Sequence, residues 1–244
     1  MPYRTLNADN IEATIERLHK RIMERFPDRG IVRLCAELLT IAREDRERLS
    51  WVVRPNLLVR TGVGVAIVLG AGGVIWTLLN LGPMRVSTDA VDLVQGVEAI
   101  LNIVALAGAA IWFLLNLESN MRRDRVLADL HELRSIAHVV DMHQLTKDPT
   151  QLLKAYTSTA SSEVHHMSEL ELLRYLDYCS EMLSLTGKLA ALYMQDMRDP
   201  VIIETVTEIE DLTTSLSRKI WQKIVILQQS SRDATQRAAS VHGR

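Results

Sequence analysis

The sequence predicts an all-α membrane protein: a two-span transmembrane helical hairpin, its second span continuing into a long stalk, with a cytoplasmic helical bundle. Two uncharged apolar runs, 24 residues from Thr61 to Met84 and 19 from Ala99 to Leu117, are the first sign. At about 1.5 Å rise per residue, roughly 20 apolar residues cross a bilayer core of about 30 Å. Apolar residues at helical spacing in both flanks are the second. The third is that no alternating strand pattern occurs anywhere in the chain.

The N-terminal segment, residues 1–52, reads as cytoplasmic amphipathic helices. Ile11, Ile15, Leu18 and Ile22 recur at helical spacing behind a cap at Asn7 or Asp9. Pro27 to Gly30 interrupts the pattern, which resumes with Ile31, Leu34, Leu38 and Ile41 and turns heavily charged from Arg43 to Arg48. A short basic stretch followed by an apolar core is missing here, so no signal peptide is expected. Pro55 marks a break before the membrane.

Residues 53–117 form the hairpin, with spans at 57–80 and 91–117. Only Arg60, Arg85, Asp89, Asp92 and Glu98 are charged between positions 56 and 117. Arg46, Arg48, Arg54 and Arg60 precede the first span and Arg122, Arg123 and Arg125 follow the second, whereas the connecting loop holds only Arg85. That asymmetry puts both termini in the cytoplasm, in an integral membrane protein of a bacterial inner membrane. Trp51 and Trp112 fall near the inner interface and Trp76 near the outer one, where indoles concentrate.

Residues 118–228 supply the stalk and bundle. After Gly108 no Gly or Pro occurs until Pro149, so the second span can run on as one helix with Leu127, Leu130, Leu133, Ala137 and Val140 as its inner stripe. Asp148-Pro149 is expected to open a short helix through Tyr156, and the Ser/Thr-rich stretch 157–166 reads as a linker. Ser168-Glu169-Leu170-Glu171 is a capping box, with Met167 placed to staple onto Leu172. The helix it opens carries a heptad-like seam, Leu172, Leu176, Cys179, Leu183, Thr186, Ala190 and Tyr193, which suggests coiled-coil packing. Asp199-Pro200 opens another helix with Ile202, Val206, Ile209, Leu216, Ile220 and Leu227. The polar tail, 229–244, lacks periodicity and is expected to fray.

Two groups of residues are candidates for function. Asp92, Gln95, Glu98 and Asn102 lie on one face of the second span, and carboxylates at that depth normally face a bundle interior or water. They would form either a polar interface gluing helices together or the lining of an oligomeric cation pathway. Gly62, Ala66 and Gly70 make a ladder of small residues that lets another helix approach closely. A single hairpin cannot enclose a pore, so any conduction requires several subunits.

Other chemistries find little support. A net charge of −2 gives no hint of nucleic acid. No nucleophile elbow, zinc-protease helix, nucleotide loop or kinase signature is present, so no catalytic residue and no cofactor is expected. His131 and His138 share a helix face, but seven residues is about 10.5 Å along the axis, too far for one metal ion to bind both. His165 and His166 read as loop residues. Cys35 and Cys179 read as small apolar core residues rather than a disulfide or metal pair.

The layout of two spans followed by a helical cytoplasmic domain resembles the SLATT-type membrane effector domains of bacterial conflict systems. The likeness is one of architecture and implies no residue role. Two spans with both termini on one side also resemble mitochondrial calcium uniporters, but the Trp-Asp pore motif of that family is absent where the second span begins. The expected function is that of a non-enzymatic homo-oligomer, in contact with membrane lipids, whose cytoplasmic helices bind a protein partner or transmit a signal to the hairpin. An oligomeric cation channel is the alternative, and a membrane-bound enzyme or metal protein a distant third.

Overall fold

The computed structural model describes residues 5–52, 57–80, 90–147, 149 and 167–242, and every extended element among them is helical. In chain order these are α1 (Ala8–Arg25), α2 (Gly30–Val52), α3 (Leu57–Asn80), α4 (Ala90–Leu145), α5 (Glu169–Asp196) and α6 (Pro200–His242). The chain divides into two compact units, one comprising Met1–Trp51 with Val126–Arg244 and the other Val52–Arg125.

The first unit is a helical domain whose core is made of the apolar stripes. In α1, Asn7 caps the helix by accepting from the Asn10 amide at 3.1 Å. Ile15, Leu18 and Ile22 are then fully buried on one face, each contributing about 1.5–3 kcal/mol of apolar burial. Phe26 ends the helix and drops into the core, where its ring meets Tyr175 and Tyr178 edge-on at 5.7 and 6.2 Å. The charged faces of α1 and α2 are matched: Glu12 pairs with Arg43 at 3.1 Å, and Asp9 and Glu12 both pair with Arg46. Arg21 reaches α5 and grips Glu181 with both guanidinium nitrogens. These pairs are mostly solvent-exposed and add little stability each; the buried stripes hold the domain.

Helices α5 and α6 form a hairpin joined by residues 197–199. Both capping-box bonds at the start of α5 are made between Ser168 and Glu171, and Met167 is buried beside them. Asp199 caps α6 by accepting from the Val201 amide at 2.9 Å, with Pro200 in the first helical position. All seven seam residues of α5 and all six stripe residues named in α6 are buried. The heptad-like spacing of α5 is thus satisfied within the chain, against α6 and α1.

Two details differ from the sequence expectation. The inner stripe of α4 holds Leu130, Leu133, Ala137 and Val140 as expected, but it begins at Val126, fully buried, rather than at the half-buried Leu127, and it also carries Asp129 and Ile136. The tail after Gln229 does not fray: α6 runs on to His242. Ala, Gln and Arg, frequent beyond Leu227, are strong helix formers that can extend an existing helix.

The second unit holds α3, the first part of α4 and whatever joins them. Among the described residues one helix is long and apolar enough to cross a membrane, found within Leu101–Leu145. Its apolar part is exposed on every side: Leu101, Val104, Leu106, Trp112 and Phe113 are all more than half exposed. The same holds in α3 for Val65, Val68, Leu69, Trp76 and Leu79. The short helix expected from Pro149 to Tyr156, the Ser/Thr-rich linker and His165-His166 lie outside the described residues, Pro149 excepted.

Candidate functional site

Of the polar face anticipated in the second span, Glu98 and Asn102 are four residues apart on α4 and both exposed. Asp92 and Gln95 lie on the same helix with side chains outside the described set, as does Ala66 on α3. Gly62 and Gly70 are exposed, and a Cβ added at either would meet nothing within 4 Å. The small-residue ladder is therefore open, and no described side chain of this chain fills it.

A more organised polar cluster lies inside the helical domain, where three helices each bury one ionisable side chain. Asp45 of α2 is 1% exposed, Asp129 of α4 7% and Tyr193 of α5 0%. The Tyr193 hydroxyl lies between the two carboxyls, 2.6 Å from Asp45 Oδ1 and 3.2 Å from Asp129 Oδ2. The other oxygen of Asp129 accepts from Arg48 at 2.5 Å, and Glu132 stands 3.8 Å from the same guanidinium. The second oxygen of Asp45 is buried with no hydrogen-bond partner.

The electrostatics follow from that asymmetry. Burial pushes the Asp45 carboxyl up to about 7; the Tyr193 hydroxyl opposes the rise, the negative Asp129 adds to it, Arg48 opposes it and Glu132 adds a little. Tyr193 is itself pushed far above its ordinary value by burial and by the two aspartates. A buried carboxyl near neutrality with one oxygen unsatisfied can hold or release a proton in the physiological range. Among the described residues no three His, Cys, Asp or Glu side chains gather as metal ligands.

Asp45 and Asp129 are not among the residues the sequence singles out, although a signal for them is present in it. Asp45 occupies the next position in the stripe Ile31, Leu34, Leu38, Ile41, and Asp129 sits beside Leu130 in the stripe of α4. Tyr193 was placed correctly as the last seam residue of α5, without its partners.

A second contact set joins α4 to α5 and α6. Lys223 donates to the Gln144 carbonyl at 2.7 Å and the Lys147 carbonyl at 3.4 Å, which satisfies the C-terminal end of α4 with a cation. His143, half-buried, lies 3.4 Å from the Tyr175 hydroxyl, and burial followed by Lys147 and Arg33 lowers its proton affinity. His131 and His138 are exposed. Cys35 and Cys179 are free and buried, and burial pushes each thiol up to about 12.

No family model, no curated protein and no solved structure matches this chain. The fold and site define an all-helical protein with, among the described residues, one candidate membrane-spanning helix and a helical domain that encloses a carboxyl–tyrosine–carboxyl cluster.

Proposed function

We propose that the chain is a non-enzymatic, homo-oligomeric integral membrane protein whose helical domain binds a cytoplasmic partner or passes a signal to a transmembrane hairpin formed by α3 and α4. The observation that carries this reading is α4. It is one helix of 56 residues, about 84 Å long. Its early part is apolar and exposed all round, while Val126, Leu130, Leu133, Ala137 and Val140 near its end are buried in the helical domain. Side chains exposed on every face of an apolar helix call for lipid or other helices around them. The open Gly62 and Gly70 positions on α3 suit close approach of a helix from another copy. Apolar surface left on the helical domain, at Val139, Met142 and Leu145 of α4 and Trp221 of α6, is where a protein partner would bind.

The reading is tested by the mass of the purified full chain in lipid nanodiscs, for the native sequence and for Gly62→Leu with Gly70→Leu. An oligomer that falls apart in the double variant supports it; a native monomer contradicts it. A cation pathway is a second reading, favoured by the exposure of Glu98 and Asn102 on one side of α4. It expects ion flux through liposomes that falls in Glu98→Gln while the oligomer mass is unchanged.

A further inference from the structure

We propose that Asp45, Tyr193 and Asp129 form a proton-operated latch, which fastens α2 to α4 and α5 when Asp45 carries a proton and loosens when Asp45 ionises. The latch lies wholly within the helical domain and does not depend on how α3 and α4 meet a membrane.

Counting protons across the cluster leads to this conclusion. A tyrosine hydroxyl has one proton to donate, yet the Tyr193 oxygen sits within hydrogen-bond distance of a carboxyl oxygen on either side. Both contacts are satisfied together only if one carboxyl supplies a second proton. Arg48 binds Asp129 through its other oxygen, so Asp129 is the carboxylate and accepts from Tyr193. Asp45 then carries the proton and donates it to the Tyr193 oxygen. The 2.6 Å separation is ordinary for such an O–H···O contact. Neutral Asp45 also explains how its second oxygen can be buried without a partner, a position costly for a neutral carbonyl and far more so for half of a buried carboxylate.

Ionising Asp45 removes one proton and with it one of the two bonds. A second negative charge then faces the buried Asp129 and the half-exposed Glu132 of α4. Among the described residues Arg48 is the cation that acts on Asp45, and it is already engaged by Asp129, Glu132 and Glu44. Among the described residues α5 presents Tyr193 to Asp45, and Arg43 and Arg46 of α2 are taken by Glu12 and Asp9 of α1. Water must enter or the helices must part, and either outcome weakens the hold on the C-terminal end of α2.

The experiment is infrared spectroscopy of the full chain in lipid nanodiscs across a pH series, with hydrogen exchange, taken relative to the base-catalysed intrinsic rate of each amide at that pH, measured on the same samples. The native protein should show the carbonyl band of one buried protonated carboxyl at acid pH, lost with a midpoint near about pH 7. Amide exchange in residues 38–48, 126–136 and 187–195 should accelerate through the same midpoint. Asp45→Asn should lack the band at every pH and keep slow exchange throughout, because its amide donates to Tyr193 without ionising. Asp129→Asn should move the midpoint to lower pH by about one unit or more, since the like charge is gone and Arg48 is freed. A native protein without the band, a band that survives in Asp45→Asn, or a band that titrates while exchange stays constant would each overturn the latch. The native protein alone decides the first and third outcomes, so the proposal stays testable if a variant fails to fold.

Discussion

Gly187 sits in the middle of α5, facing α6, and the consequence of replacing it with alanine can be worked out from its surroundings. A Cβ at this position would lie 3.0 Å from Thr213 Oγ1 and 4.0 Å from the Thr213 Cβ. Two effects oppose each other. Alanine favours the helix over glycine by about 1 kcal/mol in a helix interior. Against that, Thr213 is 5% exposed and its hydroxyl donates to the Glu210 carbonyl at 3.0 Å, so turning it aside forfeits about 1 kcal/mol of hydrogen bonding. Pushing the helices apart instead costs about 1–3 kcal/mol, as overpacking does. Turning Thr213 aside is the cheaper route, and its cost of about 1 kcal/mol cancels the propensity gain of about 1 kcal/mol, so Gly187→Ala should be close to neutral. In a Thr213→Ala background the obstructing hydroxyl is gone, and the same change should stabilise by about 1 kcal/mol. Chemical denaturation of all four proteins in detergent, followed by far-UV circular dichroism, closes the cycle. If Gly187→Ala is equally stabilising in both backgrounds, α5 and α6 do not meet closely at this point and the packing described is wrong.

Two further outcomes follow from burial and charge. Leu183→Ala and Leu216→Ala, at residues 0% and 4% exposed on α5 and α6, should each cost about 2–5 kcal/mol in the same assay; a negligible loss at both would contradict a core at their interface. Asp45, raised to about 7 when folded, keeps its proton in the native state after the unfolded chain has lost it. Its contribution should thus fall as pH rises from about 4 to about 7, by about 1.4 kcal/mol per pH unit, and stay flat above that. The slope is read as the difference between native protein and Asp45→Asn, which isolates it from the other carboxylates; identical pH profiles would contradict it.

How much of this was legible in the sequence depended on what each residue obeys. Apolar residues at helical spacing must be buried somewhere, so Ile11 to Ile22, Ile31 to Ile41, Leu172 to Tyr193 and Ile202 to Leu227 could be read as core faces. The caps at Asn7, Ser168 and Asp199 could be read because a helix start leaves amides that only a few side chains satisfy. Asp45 and Asp129 were hidden because charge normally signals solvent. Only their phase within an apolar stripe marked them, and only the fold brought the stripes of α2, α4 and α5 together around one tyrosine. The continuation of α6 past Gln229 left no signal for the opposite reason: the polar sequence there has no apolar periodicity, so only helix propensity favours it. Glu98, Asn102, Gly62 and Gly70 are exposed on α4 and α3, and the role the pattern suggests for them rests on the proposed function alone.

The central claim, that α3 and α4 cross a membrane with both termini on one side, is tested most directly by single-cysteine labelling in sealed vesicles of known orientation. Cys35 and Cys179 are buried, with thiols pushed up to about 12, and should stay silent toward a membrane-impermeant maleimide. Cysteines introduced at Ser87, between the two apolar runs, and at Ser231, near the end of α6, then report alone. The account predicts that Ser231→Cys reacts only from the cytoplasmic side and Ser87→Cys only from the opposite side. Labelling of both from the same side would contradict it.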